Sequence, residues 1–276
     1  MHTRQTKPWA LSLRRAFRSG ETIRLLTLTQ LKAGNRDKIF GYLWSLLDPL
    51  LMLAVYYLVF GIGFRQAGDS PSEFVLYLFM GLVAWRFFGD SIAQAAGSLR
   101  SHRALILASD FPKAVIPISI CAARAYDLLW ATAVVVGVAW WAGTPPSLSL
   151  LWLPAIFAIQ ITLTLGIALL TAHLGLFFAD TANIISAFLR LWVLASPIFY
   201  FARSEHGRTG IIPPEMIDYY MLNPIAGLLG AYRSILIWNE APNLDDLIYV
   251  AAFAFVVIVA GFSLFAWREG SYAKYV

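Results

Sequence analysis

The sequence predicts an all-α integral membrane protein with six transmembrane helices. Three observations carry this expectation. Of 276 residues, 59% are hydrophobic and 13% charged, against about 25% charged in a soluble domain. The mean hydropathy is +0.66. Several apolar runs reach the roughly 20 residues that cross about 30 Å of hydrocarbon. No alternating ten-residue strands occur, so helices rather than a barrel must satisfy the backbone. Such a composition leaves no room for a separate soluble domain.

Residues 1–40 form a basic N-terminal segment, charged throughout its first 38 residues, with no short apolar core that reads as a signal peptide. Ile23, Leu25, Leu26, Leu28 and Leu31 lie among basic residues there, which suits an amphipathic helix at the inner membrane interface, although the apolar positions spread widely around it. The six spans are read at 42–64, 74–97, 114–141, 150–178, 183–201 and 247–267. Nine basic residues precede the first (Arg4, Lys7, Arg14, Arg15, Arg18, Arg24, Lys32, Arg36 and Lys38). Arg100, Arg103 and Lys113 follow the second span, and Arg268 and Lys274 follow the last. Arg65, Arg203, Arg208 and Arg233 are spread over much more sequence on the other side, so both termini are expected in the cytoplasm. This placement explains the net charge of +5 by topology, without nucleic acid. The one cysteine, Cys121, reads as a small core residue.

Two connections stand out. Residues 99–111 mix Arg100, His102 and Arg103 with Leu105, Ile106 and Phe111. That mixture suits either an ordinary loop or a short helix pressed into a groove of a cytoplasmic partner. Residues 202–246 form a long external segment whose apolar part is interrupted at Asn223-Pro224 and is too short on either side to span. A pair of short re-entrant helices fits it, because non-helical backbone at membrane depth must be shielded by protein. Residues 247–276 complete the single domain with the sixth span and a tail.

Chemistry-bearing motifs are missing. No GxxxxGK[ST] phosphate cradle, no GxGxxG, no HExxH and no CxxC is present, and His2, His102, His173 and His206 are far apart. Neither ATP hydrolysis nor metal catalysis by this chain alone is expected, so uphill transport would draw energy from a partner. Tyr42, Leu46, Pro49, Leu53, Tyr56 and Phe60 recur at helical spacing in the first span, as do Phe188, Trp192, Ala195 and Phe199 in the fifth. Such faces serve lipid contact, interfacial belts and core packing, or line a path along which sugar rings slide. Arg86 with Asp90, and Arg124 with Asp127, are charges at membrane depth spaced to pair. They read as neutralised structural pairs or as groups that bind hydroxyls or phosphate of a carried glycan.

Gly41-Tyr42-Leu43-Trp44 with Asp48-Pro49, then Asp110-Phe111-Pro112-Lys113 with Ile116-Pro117, then Phe177-Phe178-Ala179-Asp180, follow one another in order. Ser196-Pro197-Ile198-Phe199-Tyr200, Asn223-Pro224, Arg233 and the tail from Phe265 to Tyr275 complete the set. This ordered set resembles the membrane subunit of polysaccharide-exporting ABC transporters, the type 2 exporter permeases of the O-antigen and teichoic-acid branch. The likeness runs from about Ile23 to the end; an arginine is common in that family where Ala179 stands.

The resemblance implies a homodimer joined to two ATP-binding subunits on separate chains, which hold the ATP and Mg; this chain binds no cofactor or metal. It implies a pathway between subunits lined by Tyr42, Tyr56, Phe60, Phe188, Trp192, Phe199 and Tyr200. Arg100, His102, Arg103, Leu105, Ile106 and Phe111 would couple it to the ATPase, and Asn223, Pro224 and Arg233 would form an external gate. The cargo implied is a lipid-linked glycan (O-antigen, teichoic acid or capsular polysaccharide) crossing the bacterial cytoplasmic membrane. A drug or small-lipid cargo, and an intramembrane glycan-modifying enzyme, are the competing readings.

Overall fold

The computed structural model describes residues 19–35, 44–63, 70–108, 111–145, 147–204, 207 and 209–275. Among them the chain is helical, with no strand. Helix α1 spans Gly20–Asn35, α2 Trp44–Tyr56 continuing as a π-helical run Tyr57–Gly63, and α3 Pro71–Ser101. A short α4, Arg103–Ala108, leads to α5, Val115–Trp141. A 3₁₀ turn Leu148–Trp152 enters α6, Leu153–Phe177, and α7 follows at Thr181–Leu194. The short α8, Ile217–Met221, precedes α9, Pro224–Leu236. Helix α10, Leu244–Arg268, ends in the 3₁₀ turn Glu269–Lys274.

Four helices are long and apolar enough to cross a membrane: α3, α5, α6 with its leading turn, and α10. Two of the six expected spans are shorter. The apolar part of the first is Leu50–Gly63, and the fifth is a helix only over Thr181–Leu194. Fourteen residues rise about 21 Å, short of the bilayer core. The expected end at Phe201 fails because Pro197 has no N–H to continue the ladder and the chain turns from Ala195 onward.

Helix α3 is the hub. Its most apolar window is 78% buried within the subunit, whereas those of α5, α6 and α10 are 28–39% buried. It packs against α5, α6, α7 and α2, while α10 lies along α6 and α1 against α5. Small residues set these distances. A Cβ added to Gly175 of α6 would stand 1.6 Å from the carbonyl oxygen of Ala96 in α3, and one on Gly166 would stand 2.7 Å from the backbone nitrogen of Ile258 in α10. Lipid supplies no hydrophobic drive between helices, so such close backbone approach is what holds them.

Polar bonds fix the register. The Gln160 amide of α6 donates to the carbonyl of Ala84 at 2.9 Å and accepts from the buried Tyr232 hydroxyl of α9. At the other end, Arg100 donates through Nε and Nη2 to the carbonyl of Leu176, at 3.2 and 3.0 Å. There Tyr272, fully buried, folds back onto α6 and its hydroxyl meets His173 Nδ1 at 2.7 Å.

Gly175→Ala is expected to push α6 off α3 and cost about 1–3 kcal/mol, read as a lower thermal midpoint of the detergent-solubilised protein. Gly137→Ala, which meets nothing within 4 Å, does not lower that midpoint.

Candidate functional site: a charged groove beside a capped break

Helices α2, α3 and α7 enclose a groove of about 530 Å³. Tyr56, Trp85 and Phe199 supply its aromatic wall, and Arg86, Asp90 and Arg190 its charges. The groove sits deep: Arg86 is fifteen residues from either end of α3, about 22 Å along the axis.

Two aromatic clusters flank it. Phe199 stacks on Phe60 with ring centroids 4.9 Å apart and touches Tyr56 at 4.5 Å. Trp192 meets Phe88 edge-on at 5.2 Å, with Trp85 at 6.3 Å and Phe188 at 5.2 Å. Offset and edge-to-face contacts of this kind are the favoured ring geometries.

Of the residues expected to line a path, Tyr56 and Phe199 face the groove, while Phe60, Phe188 and Trp192 stand behind or beside it. Phe188 is exposed on α7. Phe199 does not share a helical face with Phe188 and Trp192, because α7 has already ended; it is 1% exposed and packs as core. Tyr42 lies outside the described residues, as do Gly41, Leu43 and Asp110.

The charges arrange as spaced. Arg86 Nε stands 3.6 Å from Asp90 Oδ2, and Arg124 Nη1 donates to Asp127 Oδ2 at 3.2 Å. Arg190 and Trp85 were not singled out in the sequence, although Arg190 obeys the same rule as Arg86: a charge inside an apolar run.

The break between α8 and α9 is a hydrogen-bonded knot. Asn223 caps α9, its Oδ1 accepting from the Ile225 amide at 3.1 Å, with Pro224 in the first helical turn where a missing N–H costs nothing. The same Oδ1 accepts from Trp192 Nε1 at 3.1 Å. Its Nδ2 donates to Ser196 Oγ at 3.1 Å and to the Ala195 carbonyl at 3.4 Å. Ser196 in turn donates to the Trp192 carbonyl at 2.9 Å.

Tyr200 donates to the Leu194 carbonyl at 3.0 Å, and its oxygen lies 3.0 Å from that of Tyr220. One hydroxyl carries one proton, so Tyr220 is the donor to Tyr200. Burial pushes the Tyr220 phenol well above its ordinary range, and the Tyr200 bond adds to this, so that proton stays in place.

Arg233 of α9 is 3% exposed. Its guanidinium lies 3.3 Å over the Tyr77 ring, and Nη2 donates to the carbonyls of Tyr77 and Ile198, both at 3.4 Å. No carboxylate among the described residues pairs with it, and its Nε has no hydrogen-bond partner. Cation–π attraction, about 2 kcal/mol when desolvated, offsets part of the burial. It borders a second cavity, about 320 Å³, with the Arg203–Asp246 pair at 3.1 Å.

On the opposite side, α4 differs from the expected partner face. Ile106 is 3% exposed and packs into the subunit. Arg100 is engaged by Leu176, and His102 Nδ1 lies 2.8 Å from the Ser98 carbonyl. Arg103 and Leu107 remain on the open face, with Leu105 half-buried. Phe111, half-buried, carries Lys113 Nζ at 5.0 Å over its ring. Among the described residues no group of His, Cys, Asp or Glu could hold a metal ion.

Asn223→Ala removes a cap and two donors together and is expected to lower stability by about 2 kcal/mol. A lower thermal midpoint of the detergent-solubilised variant checks this.

No protein-family model matches the chain. It is similar to the O-antigen export system permease protein RfbA of Myxococcus xanthus, 29% identical over 257 residues that cover 91% of this chain and 94% of that protein. A Klebsiella pneumoniae protein of the same name is 28% identical over 92% of this chain and 96% of its own length. The polysialic acid transport protein KpsM of Escherichia coli is 24% identical over 90% and 93%. These relatives, named as O-antigen export permeases and a polysialic acid transport protein, match nearly the whole chain, over which the four membrane-capable helices are also spread.

Proposed function

We propose that this chain is the transmembrane subunit of an ATP-driven exporter that moves a lipid-linked, O-antigen-like cell-surface polysaccharide across the bacterial cytoplasmic membrane. The observation that carries the reading is likeness over about nine-tenths of the chain to O-antigen export permeases. The exposed apolar side chains of a helical subunit support it. The similarity to KpsM favours capsular polysaccharide as the second cargo.

In this reading the chain is a homodimer of six-span subunits with both termini in the cytoplasm. Helices α2 and α7 serve as the short first and fifth spans, and α8 and α9 as re-entrant external gate helices. The chain is not itself an enzyme: two separate ATPase subunits hold ATP and Mg and press on α4 and on the interface helix α1. Ile106 anchors α4 from within, and Arg103 and Leu107 meet the partner. The exposed Leu25 and Leu28 of α1 give it an apolar face toward lipid.

Purified alone, the chain hydrolyses no ATP; turnover without a nucleotide-binding subunit would falsify the division of labour. Arg103→Glu with Leu107→Asp abolishes copurification with the ATPase and surface polysaccharide, with normal membrane levels of the chain. Intact assembly of that variant removes α4 from the coupling role. Ile106→Ala instead lowers stability by about 2–4 kcal/mol, seen as a reduced thermal midpoint.

A further inference from the structure

The cavity beside α9 is lined by a buried cation and, apart from it, a neutral ion pair. It lies across the turn from the groove: Pro197 and Phe201 line the cavity, whereas Phe199 between them lines the groove. Among the described lining residues two arginines stand with two carboxylates, so the charges balance in number but not in place. Asp246 is held by Arg203 at 3.1 Å, and Glu240 is exposed. Arg233 is 3% exposed, and among the described residues only the phenols of Tyr77 and Tyr220 lie within electrostatic reach of it. Its Nη2 is taken by two carbonyls, and its Nε is shut away without a partner. Nη1 donates to no described residue and is the nitrogen left to face the cavity. A guanidinium buried in this way is costly until an anion meets it.

The walls specify what kind of anion. The volume, about 320 Å³, stands at the small end of ligand sites, roughly 300–1,000 Å³, and suits a single sugar ring. A phosphate would bring about two negative charges at neutral pH against one uncompensated cation, with Asp246 and Glu240 on the same walls. A carboxylate brings one. Asp246 lies beyond electrostatic reach of Arg233, so the ion pair marks a different part of the cavity. The polar atoms left over suit hydroxyls. Asp246 accepts from Arg203 through Oδ2 alone, and Ser234 Oγ donates to the Gly230 carbonyl and keeps its lone pairs. Asn243 caps α10 through Oδ1, which leaves its amide N–H groups to donate. The indole of Trp238, fixed by its bond to Glu73 Oε1 at 3.2 Å, adds a flat apolar face for ring C–H groups. One negative charge, several hydroxyls and a ring between them describe a sugar acid.

We propose that this cavity binds one hexuronic acid residue, with its carboxylate on Arg233 Nη1, its hydroxyls on Asp246, Asn243 and Ser234, and its ring against Trp238. The site is separate from the groove and holds whether or not the chain exports glycan. Gly230 keeps the space open: it lines the cavity, and a Cβ built on it meets no atom within 4 Å. A bound acid joins α9 to the start of α10, so saturating ligand raises the thermal midpoint.

The test uses the full detergent-solubilised chain and radiolabelled D-glucuronate, with unlabelled glucuronate, glucose and acetate as competitors. Glucuronate is expected to bind saturably. Glucose and acetate displace it about tenfold less well than unlabelled glucuronate does, the worth of one charge-assisted hydrogen bond. Gly230→Leu, which fills the space, abolishes binding without lowering the midpoint of the unliganded protein; should that midpoint fall, Gly230→Ala takes its place and weakens binding. Arg233→Gln, monodisperse on gel filtration, binds glucuronate no better than glucose. Absence of saturable binding overturns the proposal. Equal displacement by glucose does so too, since the carboxylate is then not read, and equal displacement by acetate leaves an ion site only. Unchanged binding by the Gly230 variants places the acid elsewhere and overturns it as well. Methyl glucuronide identifies the source: competition assigns the site to a glycosidically linked residue, and failure to compete assigns it to the free acid, with carboxylate and ring read in either case.

Discussion

Backbone carbonyls freed where α7 stops short constrain this subunit more than any other feature. Helix α7 ends after fourteen residues, and from Ala195 the chain turns into the buried stretch Ser196 to Phe199. Each unsatisfied carbonyl there costs several kcal/mol. Side chains supply the missing donors: Ser196 to Trp192, Tyr200 to Leu194, Asn223 to Ala195, Tyr77 to Tyr200, Arg233 to Ile198. These donors come from α3, from the turn itself and from the α8–α9 segment. The unfinished helix is therefore viable only when that segment is docked, which ties two stretches far apart in sequence into one structural unit.

The same constraint accounts for Arg233. A neutral side chain in its place would need no compensation, but it would leave the Ile198 carbonyl without a donor. The guanidinium reaches two carbonyls from two different elements while lying flat on the Tyr77 ring. Gly81 of α3 leaves room for it, since a Cβ there would come within 3.1 Å of Arg233 Nη2. Elsewhere Gln160 and Tyr232 join α3, α6 and α9 through neutral groups, and close glycine contacts add to them.

Much of this was legible in the sequence, and what was not has identifiable causes. Hydropathy located the four long helices to within a few residues, because a run of apolar residues over 25 positions has few alternatives. Asn223-Pro224 marked its break correctly, since an Asn cap followed by Pro has a local mechanism. Hydropathy extended the fifth span too far, through Phe199 and Phe201, because an aromatic buried by neighbouring helices is indistinguishable in composition from one facing lipid. Helical spacing grouped Phe199 with Phe188 and Trp192 for the same reason, and the turn after Ser196 separates them. In α4, composition could not say which way the helix rolls, so Ile106 was read as outward. Arg190 was legible in principle: it is an arginine within an apolar run, and only the groove shows that its surroundings leave it unpaired.

Trp192 connects the two halves of the site. One edge of its ring closes the cluster with Trp85 and Phe88 of α3, and its N–H is held by Asn223 at the capped break. Any displacement of α7 that widens the groove away from α3 must therefore stretch the bond to Asn223 or carry Asn223 with it. Asn223 also holds Ser196 and the first turn of α9, so moving it disturbs the carbonyl donors at the end of α7. Opening at the groove and loosening of the α8–α9 segment are in this way one mechanical event. The linkage requires no long-range network, only an indole that packs on one element and donates to another.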